Sequence, residues 1–245
     1  MRNEIAVLLY VAGAAVLSMF AFAASPARRA VDQLESGIRG KLLLGSFARR
    51  WFYWAVRPIE RLSLAVGLTP LFYNLAGVGF GIAAGVLFVN GRFALAGWAV
   101  LLSGVADALD GRVARAQGVA SPRGAFLDST LDRFAEVAVF VGLAAAYRDS
   151  VFGAVATAAA LGGSLLVSYT RARGESQGVL CTAGIMQRAE RLLLVGFGGI
   201  LDGWGSEMLG QSQGTLLKWV LLLAAAGTIG TAVYRTVWVA RRLES

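Results

Sequence analysis

Residues Ser103 to Glu136 read SGVADALDGRVARAQGVASPRGAFLDSTLDRFAE, and the reading of the fold turns on the aspartates in that stretch, Asp107, Asp110, Asp128 and Asp132. Apolar runs of membrane-spanning character flank it on both sides. An ionisable side chain inside a membrane segment costs about 2.5–3.5 kcal/mol on insertion scales. Four of them cost roughly 10 kcal/mol by simple addition, unless metal ions, ionic partners or water take up the charge. Acids held at that cost mark the candidate working site.

The whole chain of 245 residues is 57% hydrophobic, too apolar for one soluble domain and long enough for six or seven spans. Many of its 31 glycines fall inside apolar runs, where membrane helices approach closely. The formal net charge of +8 is gathered in a few short connections between spans. That placement points to anionic lipid headgroups or phosphates, and away from nucleic acid. The chain contains no histidine, so acid–base chemistry falls to carboxylates, Lys, Tyr or the lone Cys181. A single cysteine makes no intrachain disulfide, and Cys181 has no metal-ligand spacing around it.

Three segments follow from the patterning. Residues 1–26 hold an apolar run, 4–24, that reads as an uncleaved transmembrane helix. A secretory signal is the alternative, with Ala21-Phe22-Ala23 near a cleavage point, but Arg28 and Arg29 follow the run and favour a cytoplasmic flank. Residues 27–68 interleave eight basic residues with Trp51, Phe52, Tyr53 and Trp54, as an amphipathic helix lying on the cytoplasmic leaflet would. Residues 69–245 then carry six spans. Thr69-Pro70 opens the first and Ser121-Pro122 the third, each by pre-setting a helix start. The second runs from Arg92 toward Arg115, and the others cover about 151–173, 184–204 and 216–240. Alternation across the membrane places 19 of the 23 Lys and Arg residues on the side of the 27–68 segment. This asymmetry makes that side, and the C-terminus, cytoplasmic.

The carboxylates fall at one depth. Counting from Arg92 at about 1.5 Å per residue, Asp107 lies about 22 Å into the membrane and Asp110 about 27 Å. Counting the antiparallel third span from Arg148 gives about 24 Å for Asp132 and about 30 Å for Asp128. Hard divalent cations take such oxygen ligands, and a pair of ions needs carboxylates to bridge them. Pairing of the acids with Arg112, Arg115, Arg123 and Arg133 to hold the helix ends is the structural alternative. A cation-transport path calls for acids spread through the membrane depth and for repeat symmetry. Here the acids share a level and no repeat stands out.

The pattern Asp107-x2-Asp110-Gly111-x2-Ala114-Arg115-x8-Gly124-x3-Asp128-x3-Asp132 resembles, at every fixed position, the signature of the CDP-alcohol phosphotransferase family. The resemblance implies an all-α integral membrane protein, with six transmembrane helices preceded by an amphipathic juxtamembrane helix; the 4–24 helix is additional. It further implies that Asp107, Asp110 and Asp128 hold two divalent cations, Mg2+ or Mn2+, and that Asp132 is the general base. Gly111, Ala114, Arg115 and Gly124 would line the CDP site. Asn74, in Thr69-Pro70-x3-Asn74-x2-Gly77, stands where related enzymes often carry Thr near the nucleotide. A hydroxyl would attack the lipid-linked phosphate of CDP-diacylglycerol, and CMP would leave.

Residues 168–191, SYTRARGESQGVLCTAGIMQRAER, bear on the acceptor. They resemble the phosphatidylinositol phosphate synthase members of the family, in which a basic pocket takes the phosphate of inositol 1-phosphate. The carry-over falls on Arg171, Arg173, Arg188 and Arg191, with Gly174 replacing a common Ala. Glycerol 3-phosphate is the alternative acceptor, and a plain cytoplasmic anchor is the structural reading of the same arginines. A bacterial inner membrane is the expected location, with the active site facing the cytoplasm. Family members are commonly homodimers, which the Gly-rich spans permit.

Overall fold

The computed structural model describes residues 2–25 and 45–244. Residues 27–44, with half of the basic residues of the expected juxtamembrane segment, lie outside the described residues. Eight helices make up the described chain: α1 Arg2–Ala24, α2 Gly45–Val66, α3 Pro70–Val89, α4 Phe93–Ala116, α5 Pro122–Ala146, α6 Val151–Ser176, α7 Arg188–Met208 and α8 Thr215–Leu243. The helix starts are local. Thr69 and Ser121, each followed by proline, cap α3 and α5 by accepting from Phe72 N (3.3 Å) and Gly124 N (3.2 Å). The ends of α3 and α4 are made by Gly91 and Gly118 at φ 72° and 69°, a left-handed conformation that only glycine adopts freely.

Helices α3 to α8 form a ring: α3 packs on α4 and α5, α4 on α7, α7 on α8, α8 on α6, and α6 back on α5. Two seams are backbone against backbone. A Cβ on Gly142 of α5 would strike the Gly85 backbone of α3, and one on Gly199 of α7 would lie 2.9 Å from Phe93 O of α4. An apolar core built from Phe88, Phe93, Val100, Phe140, Leu143, Leu217 and Leu221 fills one half of the ring. The carboxylates occupy the other half.

Four of the ring helices, α3, α4, α6 and α8, are long and apolar enough to cross a membrane. The sequence expects six spans, and α5 and α7 fall outside that set because they carry the charged residues. Their outer faces stay apolar, with Phe134, Val141, Phe197 and Trp204 exposed, while Asp128, Asp132, Glu136 and Arg191 turn inward. The fifth span starts at Arg188, four residues later than expected. The chain before it is bound to α8 instead: Met186 N donates to Thr231 Oγ1 (3.1 Å) and Arg235 Nε to Ala183 O (2.8 Å).

Helix α2 is amphipathic and docks on α4. Its Glu60 pairs with Arg112, whose guanidinium also stacks over the Tyr53 ring at 5.0 Å. Ile59, Leu62 and Val66 form an exposed apolar stripe suited to a membrane interface. Helix α1 touches α2 through Phe22, whose ring lies 5.7 Å from Phe47 and 5.6 Å from Trp54.

Candidate metal and phosphate site

Ser103, one turn before Asp107, donates to the Gly77 carbonyl of α3 over 2.9 Å and fixes how α4 lies on its neighbour. That crossing brings the aspartates of α4 against those of α5. Carboxylate oxygens of Asp107, Asp110 and Asp128 all lie within 4.8 Å of one another. At that separation two unit charges repel by roughly 3 kcal/mol at an effective dielectric of about 20. Three such acids therefore need positive charge to stay together. The all-oxygen donor set is the one hard divalent cations take, so the residues fit Mg2+ or Mn2+.

Protein groups supply part of the balance. Asn74 on α3, with its amide nitrogen toward the acids, donates to Asp110 Oδ2 at 3.1 Å and Asp128 Oδ1 at 3.2 Å. Arg188, the first residue of α7, reaches into the cluster: Nη1 pairs with Asp107 Oδ1, and Nη2 lies 2.7 Å from Asp132 Oδ1. Asp132 thus sits one turn beyond Asp128, outside the three-acid cluster and joined to it through Arg188. Its other oxygen is 3.9 Å from Arg133 Nη2.

The arginines expected at an acceptor site divide into two groups. Arg188, half-buried, and Arg191, buried, stand one turn apart at the start of α7. Arg191 Nε meets Glu136 Oε1 at 3.0 Å, and Nη1 donates to Met186 O at 3.4 Å. Its Nη2 and the Nε of Arg188 are buried without a hydrogen-bond partner. Arg171 and Arg173 are exposed on α6; Arg171 pairs with Glu175 at 2.9 Å, and no ion pair joins Arg173 to the cluster. Toward the α4–α5 turn, Gly111 lies under the Arg115 side chain, where an added Cβ would be 3.2 Å from Nη1. Ala114 is half-buried and Gly124 exposed, so this turn is open to a ligand approaching the backbone.

Glu136 went unmarked in the sequence reading. It continues the α5 face of Asp128 and Asp132 at the same four-residue spacing, and that periodicity was the available signal. Its partners, Arg191 and Ser164, stand 55 and 28 residues away in the chain.

With this geometry in hand, the comparisons with known proteins are specific. The profile of the CDP-alcohol phosphatidyltransferase family matches residues 64–230. A phosphatidylinositol phosphate synthase from Streptomyces avermitilis is 36% identical over 213 residues, which cover 82% of this chain and 84% of that protein. Among solved structures, the phosphatidylinositol phosphate synthase of Mycobacterium tuberculosis in complex with manganese and citrate superposes with a TM-score of 0.65 at 32% identity, covering 74% of this chain and 87% of that one. The same Mycobacterium tuberculosis protein with CDP-DAG bound gives a TM-score of 0.64, also at 32% identity, covering 74% and 92%.

Proposed function

We propose that this chain, which belongs to the CDP-alcohol phosphatidyltransferase family, moves a phosphatidyl group from CDP-diacylglycerol to a hydroxyl of inositol 1-phosphate and releases CMP. The observation that carries the proposal is a juxtaposition. The Asp107, Asp110 and Asp128 carboxylates cluster within 4.8 Å of one another, with Asp132 one turn further on and the half-buried Arg188 and buried Arg191 beside them at the start of α7.

In this reading Asp107, Asp110 and Asp128 hold two divalent cations. When bound, such ions polarise a diphosphate and offset the charge that grows on its leaving group. The remaining work falls to side chains. Gly111, Ala114, Arg115 and Gly124 receive the CDP moiety at the turn between α4 and α5, and Asn74 steadies Asp110 and Asp128 beneath it. Arg188 and Arg191 take the acceptor phosphate through the nitrogens they leave unpartnered, with Arg171 and Arg173 at the mouth. Asp132 accepts the proton of the attacking hydroxyl. Its Oδ2 lies 3.9 Å from Arg133 Nη2, farther than Oδ1 lies from Arg188, and is the oxygen assigned to that step. The acceptor oxygen forms a bond to the phosphorus that carries diacylglycerol, and the bond from that phosphorus to the oxygen of CMP breaks.

The distribution of Lys and Arg supports placing this site at the cytoplasmic face of a bacterial inner membrane. Membrane lipids surround α1 and the ring, and a homodimer is the assembly we assign. The test of function is an acceptor panel. Purified protein with CDP-diacylglycerol and Mg2+ releases CMP when inositol 1-phosphate is added; release only with glycerol 3-phosphate rejects the inositol assignment.

A further inference from the structure

Glu136 is 6% exposed, and both of its carboxylate oxygens are taken up. Oε1 accepts from Arg191 Nε at 3.0 Å and from Ser164 Oγ at 2.5 Å, while Oε2 accepts from Arg133 Nη1 at 3.1 Å. The donors come from α5, α6 and α7, so the side chain is fixed from three sides. It has no oxygen to lend to the aspartate cluster one turn away. Arg191 is 2% exposed, and Glu136 is the one carboxylate within ion-pair distance of it among the described residues. A guanidinium buried that deeply requires a counter-charge. Asp132, one turn before Glu136 on α5, is already held by Arg188.

We propose that Glu136 is a positioning residue: it pins the Arg191 guanidinium through Nε so that Nη2 is presented to the acceptor phosphate, and it keeps that charge away from Asp132. The inference rests on the acceptor reading above and deepens it. Along one face of α5 the acids then divide by turn, Asp128 toward metal, Asp132 toward the proton and Glu136 toward the arginine that meets the acceptor.

The experiment is steady-state kinetics on the full chain in detergent or nanodiscs, with CMP release as readout and each substrate varied in turn. Glu136→Gln keeps the size and one acceptor oxygen but removes the charge. It should raise the KM for inositol 1-phosphate on the order of tenfold or more, with little change in the KM for CDP-diacylglycerol. Adding Glu136→Gln to Arg191→Ala should raise the acceptor KM no further than Arg191→Ala alone, because the two act as one unit. Glu136→Asp, which keeps the charge, should fall between wild type and Glu136→Gln, and it carries the test if Glu136→Gln does not fold. Equal changes in both KM values, or additive effects in the double variant, overturn the positioning role while leaving the function intact. A wild type that is silent with inositol 1-phosphate overturns the function and this inference with it.

Discussion

At the residue scale, the four aspartates do different work because their neighbours differ. Asp107, Asp110 and Asp128 face one another within 4.8 Å, whereas Asp132 faces Arg188 at 2.7 Å and Arg133 at 3.9 Å. Asp132→Asn keeps the shape and removes the base, so kcat should fall by about 10^2–10^4-fold, the usual worth of general-base catalysis. Mn2+ binding, followed by electron paramagnetic resonance, should persist in the same variant; loss of Mn2+ binding would make Asp132 a ligand instead. The aspartates were legible in the sequence because an acid in an apolar run stands out and because their spacing is fixed. Glu136 was not, since its meaning depends on Arg191 and Ser164, which only the folded ring brings beside it. Arg188 lies between these cases. Its basic character was plain, but its contact with Asp107 and Asp132 follows from where α7 begins.

At the scale of elements, the ring has a chemical end and a structural end, and α7 joins them. Its first turn carries Arg188 and Arg191, and near its other end Asp202, 0% exposed, closes the start of α8. Asp202 Oδ2 accepts from Gly214 N at 2.5 Å, and Oδ1 accepts from Leu217 N at 2.9 Å and Ser206 Oγ at 3.3 Å. Tyr147 completes the latch by donating to Gly214 O at 2.8 Å. Asp202→Ala strands the buried amides of α8 at about 1–3 kcal/mol each. The expected result is a lower melting temperature in detergent with both KM values unchanged, and a selective rise in one KM would tie Asp202 to the site. Helix starts at Thr69-Pro70 and Ser121-Pro122, and ends at Gly91 and Gly118, were readable because the signals are local. The start of α7 was not, because residues 183–186 are held by Thr231 and Arg235 on α8, some fifty positions later in the chain.

At the scale of the whole molecule, the chain is an integral membrane protein with carboxylates turned to the inside of a ring of helices. The orientation assigned from Lys and Arg can be checked with single cysteines, since the native Cys181 is buried. A cysteine at the exposed Gln177, after α6, should react with an impermeant maleimide in inverted membrane vesicles, and one at the exposed Gln211, before α8, only in right-side-out vesicles. The opposite pattern reverses the topology. The central claim is phosphatidyl transfer to inositol 1-phosphate at a carboxylate-bound metal site. Mass spectrometry of the lipid product tests it most directly. Purified protein given CDP-diacylglycerol, inositol 1-phosphate and Mn2+ should yield a lipid bearing inositol and two phosphates, and none once EDTA removes the metal. A product that forms in EDTA, or no lipid product at all with inositol 1-phosphate, would contradict the account.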